Sequence, residues 1–195
     1  MEPTPDLTPA ANRMKALIDG TPSGRLPDPT PCAGYSVGDL LIHVMQLSAA
    51  FRNAADHTAT VADGPAPEPS EANLPTNWRA HLEQRLDDLA AAWAIPQAWE
   101  GDTAAGGLEL PAPQAGVIAL NELVLHGWDL ARATGQPYEC DPESAEACFA
   151  FVSRVPTDDP QARAGLFGPV VDVPKDAPLF DRLLGLSGRD PSWGR

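Results

Sequence analysis

Apolar positions recur every three or four residues in several separate stretches of the chain, and each such stretch predicts a helix. In residues 37–51 the stripe is Val37, Leu40, Leu41, Val44, Leu47 and Phe51, and Ser36 with Asp39 three residues on makes a capping-box-like start. A shorter first helix opens at Thr8 as cap, with Pro9 at its first position, and carries Met14, Leu17 and Ile18 until Gly20. A third begins near Thr76 or Asn77, with Trp78, Leu82, Leu86, Leu89 and Trp93 on one face and Pro96 as its stop. The fourth is bounded by Pro111 and Pro113 at its start and by Gly135 and Pro137 at its end. Its apolar set, Val117, Leu120, Leu123, Val124, Trp128, Leu130 and Ala131, covers most of the circumference. A fifth opens with Asp141 as cap and Pro142 at N1 and runs towards Pro156, carrying Ala147, Phe149, Phe151 and Val152.

The stretches between are proline-rich loops, with Gly106-Gly107 as a tight turn followed by a short extended piece. Residues 165–174 read as extended and 178–186 as a short terminal helix built on Phe180, Leu183 and Leu184. Four helices of suitable length with almost no strand signal predict an all-α fold. It is a four-helix bundle with an additional helix and a C-terminal extension. The expected division is a bundle over residues 1–155 and an extension over 156–195 packed on it. That extension could equally serve as a lid or a subunit contact, and a homodimer is compatible with it.

Length and charge narrow the picture further. A chain of 195 residues is long enough to bury a proper core in one domain with an appendage. A net charge of -14 repels phosphate backbones and anionic headgroups, so neither nucleic acid nor a membrane surface is expected as partner. The amino-terminal stretch has no apolar leader core and nowhere do eighteen apolar residues run together, which gives a cytoplasmic reading. Cys32, Cys140 and Cys148 are odd in number and lack CxxC spacing, so they read as reduced and packed.

The chemistry concentrates on the strip of the fourth helix left free by its apolar set: Ala115, Ala119, Glu122, His126, Asp129 and Ala133. Glu122 and His126 are four apart and lie one above the other on a helix, close enough to hold one ion between them. Such a pair alone describes many solvated helix faces, but this helix is too apolar to be an ordinary surface helix. His43, on the border of the second helix's stripe beside Leu40 and Leu47, can complete the set. Two imidazoles and a carboxylate leave a metal one open position for water or substrate, which separates a catalytic site from a closed structural one. The spacing is not the HExxH of zinc proteases, because the glutamate itself takes a ligand position. His81, next to Glu83, Gln84 and Arg85, reads as a wet position and is left out.

The runs TPCAGYSVGDLLIHV (residues 30–44), NELVLHGWDLARATGQ (121–136), FGPVVDVP (167–174) and DRLLGLSGRDPSW (181–193) carry a resemblance. They are similar to the actinobacterial metal-binding proteins related to mycothiol-dependent maleylpyruvate isomerase, within the DinB-like superfamily. The likeness covers nearly the whole chain and is most specific in the proline–cysteine turn and the ExxxHGWDLA stretch. It implies a DinB-like bundle holding a divalent metal on His43, Glu122 and His126, usually zinc (Zn2+), with Ni2+ or Fe2+ as other candidates. Tyr35 departs from the tryptophan that relatives tend to have, and the closing segment looks more like an uncharacterised subgroup than the isomerase. The resemblance further implies mycothiol as cosubstrate, held as thiolate by the metal and attacking a small electrophile by addition, S-transfer or thiol-assisted cis–trans isomerisation. Asp129 or Asn121 could orient a ligand. Arg52, Arg79 and Arg132 could hold a carboxylate or sugar-bearing substrate, and none is assigned as catalytic. Three classes stay open: a mycothiol-dependent transferase or isomerase, a non-haem Fe(II) enzyme using the same donor types, and a metal-binding stress or sensor protein without turnover.

Overall fold

The computed structural model describes residues 4–163 and 165–194. The first residues of the amino-terminal stretch read above for a leader lie outside that range, as do Ala164 and the last residue of the C-terminal extension. Four helices form the bundle: α1 (Thr8–Asp19), α2 (Val37–Ala55), α3 (Trp78–Trp93) and α4 (Ala112–Thr134). The contacts close a ring, since α1 packs on α3, α3 on α2, α2 on α4 and α4 back on α1. A fifth helix, α5 (Pro142–Val152), packs on α4, and the terminal α7 (Leu179–Leu186) packs on α5. Between these two lies a single turn, α6 (Pro160–Arg163). The fold is therefore the helical bundle with additions that the apolar periodicity predicts.

Local chemistry explains where the elements begin. At α2, Ser36 Oγ accepts from the Asp39 N–H (3.1 Å) and the Asp39 carboxylate accepts from the Ser36 N–H (3.0 Å). The other oxygen of Asp39 accepts from the Glu71 N–H at 2.7 Å, tying the long acidic loop to the start of the helix that carries His43. Burial raises the Asp39 carboxyl, but hydrogen bonds from Ser36 and Glu71 overcome it and the net shift is downward. A lowered carboxyl contributes stability that is present above its unfolded value and is lost as pH falls through its folded one. Ser36→Ala is expected to cost about 1 kcal/mol, read as a lower urea midpoint with unchanged slope.

Two local readings differ from expectation. The cap position of α1 falls on Leu7, one residue earlier than Thr8, and the Thr8 N–H is taken up by the Asp6 carboxylate (2.8 Å). The Gly106-Gly107 turn joins two strands rather than leading into one: β1 (Asp102–Ala105) pairs antiparallel with β2 (Leu108–Pro111). Both glycines have positive φ, 60° and 81°, as a two-residue hairpin turn requires. Residues 165–174 lie in no strand among the described residues: the Leu166 and Phe167 N–H groups donate to the Arg163 carbonyl at the end of α6, and the Val171 N–H donates to the Gly185 carbonyl in α7.

The near-continuous apolar character of α4 has a packing reason, since the helix lies against α1, α2, α5 and the hairpin at once. Gly116 sits where an added Cβ would come within 2.4 Å of the Trp99 ring and 2.8 Å of Trp93, so both indoles rest on its backbone. Gly127, next to His126, faces the Tyr138 ring in the same way, and the Tyr138 hydroxyl donates to the Val124 carbonyl (2.8 Å). Among the described residues no helix is long and apolar enough to cross a membrane.

Candidate metal centre

Because α2 and α4 are neighbours in the bundle, His43 and the Glu122–His126 pair face each other across one helix interface. His126 Nε2 lies 2.9 Å from Glu122 Oε2, and His43 Nε2 lies 3.7 Å from the same oxygen. The two imidazoles meet edge to face with centroids 4.8 Å apart, and the Tyr35 ring flanks His43 at 5.3 Å. His126 is buried, whereas the side chains of His43 and Glu122 are each 22 % exposed, so the donor set is open to solvent on the His43 side.

Two groups of three potential ligands converge here, His43–Glu122–His126 and Cys32–His126–Asp129, each with its donor atoms within 4.8 Å. Asp129 in the second group is already occupied. Arg189 Nε and Nη2 donate to its two oxygens at 2.8 and 2.7 Å, and His126 Nδ1 lies 2.9 Å from Oδ2. In the first group the remaining nitrogen of His126, Nε2, is the one that points at Glu122. Donors around a tetrahedral zinc sit about 3.4 Å apart. The two distances to Glu122 Oε2, 3.7 and 2.9 Å, lie on either side of that spacing, and all three donor atoms lie within 4.8 Å of one another.

Electrostatics give the same order of roles. Burial raises the Glu122 carboxyl, but the hydrogen bonds and charges of His126 and His43 hold it well below the usual carboxylate range. Burial lowers His126, yet its bonds to Asp129 and Glu122 push it up to about 9. Asp129 is likewise lowered, burial being overcome by Arg189 and His126. Metal-free, the centre is therefore a line of alternating charge: Arg189, Asp129, protonated His126, Glu122. That proton stabilises the metal-free fold fully below the unfolded imidazole value, and its contribution is lost as pH rises through about 9. An ion taken up at Nε2 must displace it. Zinc affinity is accordingly expected to rise about tenfold per pH unit between pH 7 and 8.5, with close to one proton released per ion. Calorimetry in two buffers of different ionisation enthalpy measures this, and pH-independent binding would contradict it.

Of the other residues singled out in the sequence, Asp129 orients His126, while Asn121 Oδ1 is buried and makes no hydrogen bond among the described residues. Arg52 pairs with Asp56 (2.9 Å), Arg79 stacks on Trp78, and Arg132 donates to the Trp193 carbonyl. His81 is exposed. It lines, with Arg52 and Arg85, a cleft of about 440 Å³ between α2 and α3 that includes none of His43, Glu122 or His126. Arg189 was not singled out in the sequence. It lies sixty residues from its partner Asp129, and no local pattern marks the pair.

Comparison with known proteins follows the same lines. Two uncharacterized proteins from two strains of Mycobacterium tuberculosis are each 26 % identical over 191 residues, covering 92 % of this chain and 93 % of theirs. The crystal structure of the mycothiol-dependent maleylpyruvate isomerase superposes with a TM-score of 0.58 at 19 % identity, over 75 % of this chain and 68 % of that one. Its histidine-to-alanine mutant gives 0.59 at 17 % identity over the same shares. At those identities the likeness establishes the shared fold. The model of the mycothiol maleylpyruvate isomerase N-terminal domain matches residues 7–131, a span that holds α1, α2, α3 and most of α4 with His43, Glu122 and His126, and ends in the last turn of α4. By that match the chain belongs to the mycothiol maleylpyruvate isomerase N-terminal domain family.

Proposed function

We propose that this chain binds one divalent metal, zinc by preference, on His43, Glu122 and His126, and uses it to take up mycothiol for transfer to, or isomerisation of, a small electrophile. The observation that carries the reading is the convergence of these three donors across the α2–α4 interface, with His126 already oriented by Asp129. Membership in a family described by mycothiol-dependent chemistry supports the choice of thiol.

A divalent ion at this position would supply positive charge that keeps a coordinating thiol deprotonated at neutral pH. The chain's own residues do the rest. Asp129 fixes the His126 tautomer with the proton on Nδ1, leaving Nε2 as donor. Glu122, held ionised, neutralises part of the ion's charge. The exposed flank of His43, beside Tyr35, is the side from which a small molecule can approach.

In the metal-free chain all three of its own thiols are held above the ordinary thiol value. Burial, with the charge of Asp129, pushes the Cys32 thiol up to about 11, and burial with the charge of Asp141 pushes Cys140 up to about 12. Burial also carries Cys148 well above the ordinary thiol value, so all three stay protonated at neutral pH. An external thiol fits this pattern.

The test is a calorimetric titration of mycothiol into zinc-loaded and metal-free protein, followed by a screen of small electrophiles with mycothiol present. Saturable one-to-one binding that needs the metal is the expected result. Metal uptake without thiol binding would sink the mycothiol reading, leaving a metal-binding protein without this cosubstrate. Oxygen consumption by the iron-loaded form would favour Fe(II) chemistry on the same donors.

A further inference from the structure

The segment beyond the family domain returns to the centre at Arg189. After α7 the chain turns at Ser187, and Gly188 takes positive φ (85°) while the Arg189 N–H donates to the Leu184 carbonyl at 2.8 Å. An added Cβ on Gly188 would lie 2.8 Å from the Gly168 backbone, so both the conformation and the space call for glycine. This turn aims the guanidinium at α4. There Nε and Nη2 form a two-pronged pair with Asp129, whose Oδ2 lies 2.9 Å from His126 Nδ1. Arg189, Asp129 and His126 are all buried.

We propose that Arg189 is a positioning residue for the metal centre. By gripping both oxygens of Asp129 it fixes the plane of that carboxylate as the acceptor for the His126 Nδ1–H, and so aims Nε2 at the ion. The C-terminal segment thereby completes a centre whose ligands all lie in the family domain. A guanidinium can do this because its planar fork matches a carboxylate at two points, whereas a lysine ammonium would supply charge without fixing the plane. The proposal rests on the metal reading of His43, Glu122 and His126.

The full-length chain and three variants separate positioning from packing. Arg163 is the control: it is also a buried arginine of the C-terminal segment, donating to the carbonyls of Gly168 (3.0 and 2.7 Å) and Leu186 (2.6 Å), with no bond to Asp129 or the three donors. Zinc affinity is measured by competition with a chromophoric chelator, fold by far-ultraviolet circular dichroism, and donor geometry by the visible spectrum of the cobalt(II)-loaded protein. Arg189→Met is expected to weaken zinc binding 10- to 100-fold and to alter the cobalt spectrum. Arg189→Lys should fall between it and wild type, and Arg163→Met should keep wild-type affinity despite a lower urea midpoint. Unchanged affinity in folded Arg189→Met overturns the proposal, and so do equal losses in Arg189→Met and Arg163→Met. If Arg189→Met does not fold, Arg189→Lys decides, and wild-type affinity there overturns it. A wild-type chain that binds no metal sinks the metal reading itself and this proposal with it, an outcome distinct from a metal-binding wild type whose Arg189 variants are unaffected.

Discussion

His126→Ala is expected to lower zinc affinity by more than about a hundredfold while the chain stays folded. Loss of an outer partner of a metal-bound histidine typically weakens binding 10- to 100-fold, and loss of one of three direct donors should exceed that. The fold should survive because Asp129, left without the imidazole, still has both prongs of Arg189. The imidazole's removal leaves a small cavity and two lost charge-assisted bonds, one to Asp129 and one to the partly exposed Glu122, a cost of about 3–5 kcal/mol. Glu122→Gln serves as a second probe, since it keeps the side-chain shape and removes the charge that both imidazoles face. Equilibrium dialysis against zinc reads both variants. Stoichiometric, tight metal in His126→Ala would mean that the ion sits elsewhere.

Arg189→Met is expected to be among the most destabilising single substitutions in the chain, by about 3–5 kcal/mol. It removes the main counter-charge of Asp129, which is 0 % exposed, and breaking one partner of a buried ion pair carries a penalty of that size. The pH dependence follows from the direction of the Asp129 shift. Its carboxyl is lowered in the folded protein despite burial, chiefly by Arg189, so its contribution is present above the unfolded carboxyl value and is lost as pH falls through the folded one. Without Arg189 that loss should begin at higher pH. Adding Asp129→Asn to Arg189→Met should recover part of the stability, because the stranded charge is then gone. Urea denaturation at several pH values measures all three. A double variant less stable than Arg189→Met by the full cost of a second independent substitution would contradict the ion-pair account.

The helices were legible because their signals are local. Ser36 with Asp39 is written within four residues, and the structure shows both halves of that cap. The stop at Gly135 shows the same way, with a left-handed φ of 73°. The candidate ligands were legible for a related reason: Glu122 and His126 share one helix turn, and only His43 had to be brought from another helix, where its place on the border of an apolar stripe already turned it towards the core. Arg189 was not legible, because its pairing with Asp129 depends on how α7, the Gly188 turn and α4 are arranged in space. The hairpin was half legible, since the two glycines mark its turn while the four residues of β1, Asp-Thr-Ala-Ala, give no alternation by which a strand is recognised. Residues 165–174, read as extended, lie in no helix or strand among the described residues.

The account turns on one claim, that His43, Glu122 and His126 together hold an ion. The most direct measurement is the metal stoichiometry of the untagged full-length protein, loaded with zinc, desalted and analysed by plasma mass spectrometry beside the Glu122→Gln and His126→Ala variants. The expected result is one zinc per wild-type chain and a small fraction of that in each variant. No bound metal in the wild type, or equal metal in all three proteins, would contradict it.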